Sequence, residues 1–279
     1  MKRWMSVILP ATAVIASLTV LPQSDYFFDD SPHYFGSSLR SWFVGVGAGF
    51  EQLFFQDRTD YLVTAPLPPV LADQFTLNNL TGTNGMFSVF VGRQWRPVTN
   101  GRINLFLEYD DFTLFSPDGT RFASGYSDPT NALYSPSYYS FSVQHQALLF
   151  GTKVDIAEWH QLMPYVEAGI GVSRNTFSNF NNDTVNVPNQ EGNQTGAMNA
   201  FPNYVNYALA YIFGVGVDVL MQHNWQLSLG YRFGDWGNVQ SGNVTSVPAP
   251  PGGTLSPICL SNALYSNQAM VRMSYSFAG

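Results

Sequence analysis

Between Phe213 and Val219 the chain alternates without a break. Phe213, Val215, Val217 and Val219 are apolar, and Gly214, Gly216 and Asp218 lie between them. A period of two puts the two sets on opposite faces of a strand. A carboxylate on one face needs water or a cation beside it, whereas four apolar side chains on the other need neither. The two faces of this strand must therefore meet different media.

The same alternation recurs in eight runs: Ser41–Phe55, Gly85–Trp95, Arg102–Phe115, Tyr138–Ile156, Met163–Phe177, Asn206–Leu220, Trp225–Trp236 and Ser266–Phe277. Each holds roughly ten alternating residues, the length a tilted strand needs to cross the hydrocarbon layer of a bilayer. The connectors after the second, fourth and sixth runs are tight, "RPVTNG", "AEWHQL" and "MQHN". Those after the other runs are long, on the order of twenty to thirty residues, and rich in Asn, Pro, Gly, Ser and Thr. Four long loops and three short turns predict an all-β fold: an eight-stranded antiparallel up-and-down transmembrane β-barrel over residues 41–279, decorated on one rim. No second domain is expected.

Faces follow from parity. In the third run Ile103, Leu105, Leu107 and Tyr109 are expected outside and Asn104, Phe106, Glu108 and Asp110 inside. In the fifth, Val166, Ala168, Ile170 and Val172 point out, and Tyr165, Glu167 and Ser173 point in. In the seventh, Trp225, Leu227, Leu229, Tyr231 and Phe233 oppose Gln226, Ser228, Gly230 and Arg232. In the eighth, Ala269, Val271, Met273, Tyr275 and Phe277 oppose Arg272, Ser274 and Ser276. Arg93 in the second run and His145 in the fourth leave the parity of those two open, and a bulge would fit either.

Composition agrees with a strand-built membrane protein. Charged residues are 11% of the chain and aromatics 15%, against about 25% charged residues in soluble domains. No internal stretch is apolar throughout, which argues against membrane-spanning helices. The 12 Lys and Arg are scattered and the net charge is −7, so a nucleic-acid partner is excluded. A single cysteine, Cys259, rules out an internal disulfide and any Cys-rich zinc site. No His or acid cluster has metal-ligand spacing, and no cofactor is expected. Residues 1–24, with Lys2 and Arg3 ahead of an apolar run from Val7 to Leu21, read as a signal peptide, and 25–40 as an N-terminal tail.

"FGVGVDVLMQHNWQLSLGYRF" and "PYVEAGIGVSRNTF" resemble the strand-turn-strand signatures of the OmpA-like and opacity-type outer-membrane barrel superfamily; "NLFLEYDDF" is similar to its third strand. "MVRMSYSF", with Met273, Tyr275 and Phe277, resembles the C-terminal assembly signal of such barrels, except that Ala278 and Gly279 follow Phe277. The resemblance implies a bacterial outer-membrane location, contact with outer-membrane lipid and lipopolysaccharide, and delivery by the barrel-assembly machinery. It also implies a narrow lumen crossed by acid–base pairs. Carried onto this chain, Glu108, Lys153 and Asp218 fall at matching interior positions. Arg232 lies inside but displaced along its strand, and Glu167 is an additional inward acid.

Three functions fit these residues. A structural or surface-interaction barrel would support the envelope and hold a host-surface or phage ligand through its long loops, centred near Pro68, Asp128, Asn189 and Pro250. Alternatively, the interior charges would gate a narrow porin-like channel, although eight strands leave an interior just wide enough for side chains to fill. A lipid-modifying enzyme or rim protease would need a nucleophile and an oriented base. His145, near Ser142 and Gln144, is the candidate base, and Asp110, Asp111 and Asp235 are candidate rim carboxylates. His160 and His223 fall in short turns and His33 in the tail, and no catalytic motif surrounds any of them, so the chain is expected not to be an enzyme.

Overall fold

In a computed structural model the described residues are 40–56, 59–63, 72–95, 101–123, 135–157, 159–183, 201–221, 224–243 and 259–278. The expected signal peptide, His33, His223 and the loop centres near Pro68, Asp128, Asn189 and Pro250 lie outside them. Among the described residues eleven strands appear: β1 (Arg40–Phe55), β2 (Thr59–Val63), β3 (Ala72–Leu77), β4 (Thr81–Trp95), β5 (Arg102–Phe112), β6 (Asp118–Ala123), β7 (Ser135–Asp155), β8 (Leu162–Asp183), β9 (Tyr204–Leu220), β10 (Trp225–Gln240) and β11 (Ser261–Ala278).

Eight of these form a closed antiparallel barrel in the order β1-β4-β5-β7-β8-β9-β10-β11, with β11 returning to β1 from Ser41↔Ala278 to Phe55↔Leu264. Closure pairs the backbone between strands, which the hydrocarbon of a bilayer requires. The eight runs read from the sequence are these strands. The face assignments hold for β5, β8, β10 and β11, with outward residues such as Leu107, Ile170 and Val271 exposed and inward ones such as Glu108, Ser173 and Arg272 buried.

Where parity was open, the structure decides. β4 runs without a bulge; Ser88 and Gln94 point in, while Arg93 points out and lies over the Trp42 and Trp95 rings, 5.6 Å from each centroid. In β7 His145 points in and is fully buried. The irregularity lies on the partner strand: Ser140 pairs Asn181 and Ser142 pairs Ser178, so β8 holds an extra residue, with Asn179 at a φ of 55°.

The long first and second loops were expected to be without strands, and here the structure differs. β2, β3 and β6 form an extension paired onto the upper end of β7 in the order β2-β3-β6-β7. β7 thus pairs β5 along its lower half and β6 along its upper half, and with β8 it raises the wall above the apolar belt. "ADQFTL" buries Phe75 and Leu77 on one face, but "ADQFTL" and "DGTRFA" are six residues each, too short to set up a clear alternation in the sequence.

Inward glycines make room for large interior rings. A Cβ at Gly151 would fall 2.3 Å from Phe106, and one at Gly45 the same distance from Phe90. Each ring belongs to the residue that faces its glycine on the neighbouring strand, and a side chain at either glycine would push it away.

Candidate functional site: the filled lumen

The lumen is stacked in tiers. The lowest is built from inward residues at the short-turn ends of β5, β7, β9 and β10. Lys153 Nζ donates to Asp218 Oδ2 at 2.7 Å, and Gln226 Nε2 donates to the same oxygen. Arg102 Nε lies 2.8 Å from Asp155 Oδ2, and Asn104 Nδ2 donates to that carboxylate at 3.2 Å. The Lys153 ammonium also rests over the Tyr165 ring, 4.8 Å from its centroid. Removed from water, these charges need such partners.

The second tier centres on Arg232, which is fully buried. Its guanidinium donates to three carboxylates: Nη2 to Glu108 at 3.0 Å, Nη1 to Asp110 at 3.1 Å and Nε to Glu167 at 3.3 Å. Arg272 reaches Glu167 Oε2 at 2.6 Å and lies 3.7 Å from Glu108. The planar fork of arginine suits an arrangement in which one cation serves several carboxylates.

Above it, His145 Nε2 lies 3.2 Å from Glu51 Oε1, and Gln268 Nε2 donates to that same oxygen at 3.1 Å. The imidazole stacks on Phe112 with centroids 3.8 Å apart and tilts against Trp236, whose Nε1 donates to Ser266 Oγ at 2.8 Å. The top tier is aromatic: Phe141 stacks on Phe177 and on Tyr139 and is tilted against Phe55. Phe75 of β3 meets Tyr139 at 5.5 Å and Phe201 at 5.4 Å, so the added sheet contributes a ring to the lid.

The five charges singled out from the sequence therefore divide between two tiers. Lys153 and Asp218 pair near the short turns, while Glu108, Glu167 and Arg232 meet higher up. Glu51, Arg102, Asp155, Asp110 and Arg272 complete the buried set and were not assigned to it from the sequence. Inward parity was the available signal for Asp110 and Arg272, which the sequence does place inside.

The residues weighed for catalysis do not gather. Asp110 faces Arg232 inside; Asp111 takes a hydrogen bond from Gln146 on the outer wall; and Asp235 accepts from the backbone N–H of Gly237. His145 is enclosed by rings and by Glu51. His160 sits in the β7–β8 turn against Trp159, and Cys259 is exposed. Among the described residues no group of three or more His, Cys, Asp or Glu could hold a metal ion. A cavity of about 20 Å³ opens in the lower lumen beside Lys153, Gln226 and Arg272, room for about one water.

No protein-family model and no curated protein matches the chain. Solved structures do. Neisserial surface protein A is 11% identical, with 85% of this chain and 97% of that one covered and a TM-score of 0.43. The outer-membrane protein OprG of Pseudomonas aeruginosa is 12% identical, with 86% and 97% covered and a TM-score of 0.43. Ail, the attachment invasion locus protein of Yersinia pestis, solved with the heparin analogue sucrose octasulfate, is 10% identical, with 85% and 99% covered and a TM-score of 0.35. The chain is an eight-stranded transmembrane β-barrel. That assignment rests on its own closed register and its two faces, one apolar and exposed, the other buried and lined by charges, amides and rings.

Proposed function

We propose that this barrel is a sealed structural and surface-interaction protein of the bacterial outer membrane, which supports the envelope and presents its long loops to a host surface or phage. The stacked lumen carries this reading. From Lys153–Asp218 through Arg232 to the Phe141–Phe177 stack, side chains fill the interior. The β2-β3-β6 sheet adds a built platform on the long-loop rim. A barrel shape alone does not select a function. In this reading Met273, Tyr275 and Phe277, exposed on alternate positions at the short-turn end of β11, serve the assembly machinery.

Planar-bilayer conductance of the purified protein tests the sealed lumen. Wild type and Asp218→Asn are both expected to show no steady single-channel current. A steady current in wild type that changes in Asp218→Asn would replace this reading with the second one, a narrow channel gated by the interior charges. The 20 Å³ cavity beside Lys153 and Arg272 is the observation that favours that alternative. Loop deletions that leave cell and phage binding unchanged would remove the adhesive part.

A further inference from the structure

Within the barrel wall one seam stops short. β9 and β10 pair from Leu220↔Gln226 up to Tyr211↔Asp235, yet both strands continue beyond that rung. β10 turns away there: Gly237 has a φ of 68°, and the β10–β11 register shifts between Asp235 and Asn238. The detour carries Trp236 into the lumen. The carbonyls that the detour frees are taken by side chains: Asn175 Nδ2 donates to Trp236 O at 2.8 Å and to Asn238 O at 3.0 Å, and Asn206 Nδ2 donates to Asn238 O at 2.6 Å.

Outside the detour lies an open recess of about 620 Å³ along the upper edge of β9, with Gly237, Asn238 and Gln240 on its other side. At the Gly237 end an added peptide strand does not fit between the two. A Cβ at Gly237 would sit 2.4 Å from that of Ala208, whereas a strand needs about 4.8 Å from each neighbour. Hydrocarbon tails suit the site poorly too, because lipid offers an unpaired backbone edge no hydrogen-bond partner.

The lining chemistry is specific. Tyr204 and Tyr207, 45% and 70% exposed on opposite faces of β9, line the recess together with Val205 and Leu209, 37% and 65% exposed. Asn206, Asn238 and Gln240 offer amides, and Asn206 Oδ1 is buried without a hydrogen-bond partner. None of the lining side chains is an acid or a base. Arg174, an outward cation, pairs with Tyr207 from the far side of β9, and its guanidinium donates to Gln146. Aromatic faces with uncharged amides suit a ligand bearing many hydroxyls and no charge. We propose that this recess binds the uncharged sugar headgroup of a glycolipid in the surrounding leaflet.

The test places the full barrel in phosphatidylcholine nanodiscs and follows the ring resonances of Tyr204 and Tyr207. Dodecyl maltoside, added below its micelle concentration, is expected to shift them saturably, and maltose or dodecylphosphocholine is expected not to. Tyr207→Ala and Asn238→Ala should each weaken the response by about tenfold, the scale of one lost ring or amide contact. Equal shifts with dodecylphosphocholine, or none with dodecyl maltoside, would overturn the proposal, and so would maltose acting as well alone. Heat-modifiable mobility checks that each variant folds. Should one fail to fold, the three titrations of the unsubstituted protein still decide the question.

Discussion

Lys153 Nζ lies 2.7 Å from Asp218 Oδ2 across the lumen, although β8 separates their strands in the wall. The ion pair therefore ties together two strands that share no backbone ladder. Without Lys153, buried Asp218 keeps only the Gln226 amide and Arg102 at 3.9 Å; breaking a buried pair costs about 3–5 kcal/mol, whereas replacing both partners with apolar side chains of similar volume is often near neutral. Lys153→Met is expected to lower the urea midpoint in detergent, and adding Asp218→Leu to restore most of it. A double variant at least as unstable as the sum of the singles would rule out this coupling.

Arg232 serves three carboxylates, and nothing else in its tier could replace it except Arg272. Arg232→Met should be more damaging than Lys153→Met, with a loss of at least about 3–5 kcal/mol. The readout is the temperature at which the compact gel band disappears. A variant as stable as wild type would show that the second tier does not depend on this cation.

Trp236 closes the third tier against Phe112 and His145. Trp236→Ala leaves a cavity and should cost about 3–5 kcal/mol. It should also release the Ser266 hydroxyl and leave the Phe112–His145 stack loosely packed. Urea unfolding followed by the remaining tryptophans reads the loss, and an unchanged midpoint would show that the ring bears little of the packing.

The two faces of the wall should answer differently to charge. Ile170 is 55% exposed on the belt, and Ile170→Arg there should destabilise the barrel by about 2–4 kcal/mol. Ser228→Thr on the inner face of β10 should have a much smaller effect. Reversible folding into short-chain lipid vesicles measures both, and equal losses would contradict the assigned faces.

At Gly151 the nearest atom to an added Cβ is Phe106 Cζ, at 2.3 Å, and the Ala168 carbonyl is 2.8 Å away. The ring can turn aside but the backbone cannot, so Gly151→Val is expected to reduce the yield of folded barrel sharply. Adding Phe106→Ala should restore only part of it. Full folding of the single variant would show that the ring and the strand have more freedom than this packing allows.

The strands and their faces were legible because lipid on one side and a filled lumen on the other force a period of two on every crossing segment. Val217, Asp218 and Val219 carry that signal in three residues. What parity does not convey is height. It places Glu108 and Asp218 inside alike, yet Glu108 meets Arg232 and Asp218 meets Lys153, because the stagger between strands sets the level of each residue and no single strand encodes it. Glu51, beside the outward Phe50, and Asp155, at the end of β7, went unassigned to the buried set for the same reason. β2, β3 and β6 were invisible because they are only 5, 6 and 6 residues long, about half the length of a membrane-crossing strand.

The pairing of Ser41 with Ala278 sets the two ends of the wall side by side at the short-turn end. The order in which the strands follow one another is then separable from the order in which they stand. A short linker from Ala278 to Arg40, with new termini opened in the β7–β8 turn, would thread the same cylinder from a different starting strand. Every ladder, tier and face described above would keep its neighbours. The barrel is a ring whose numbering begins at β1 only because the ribosome does.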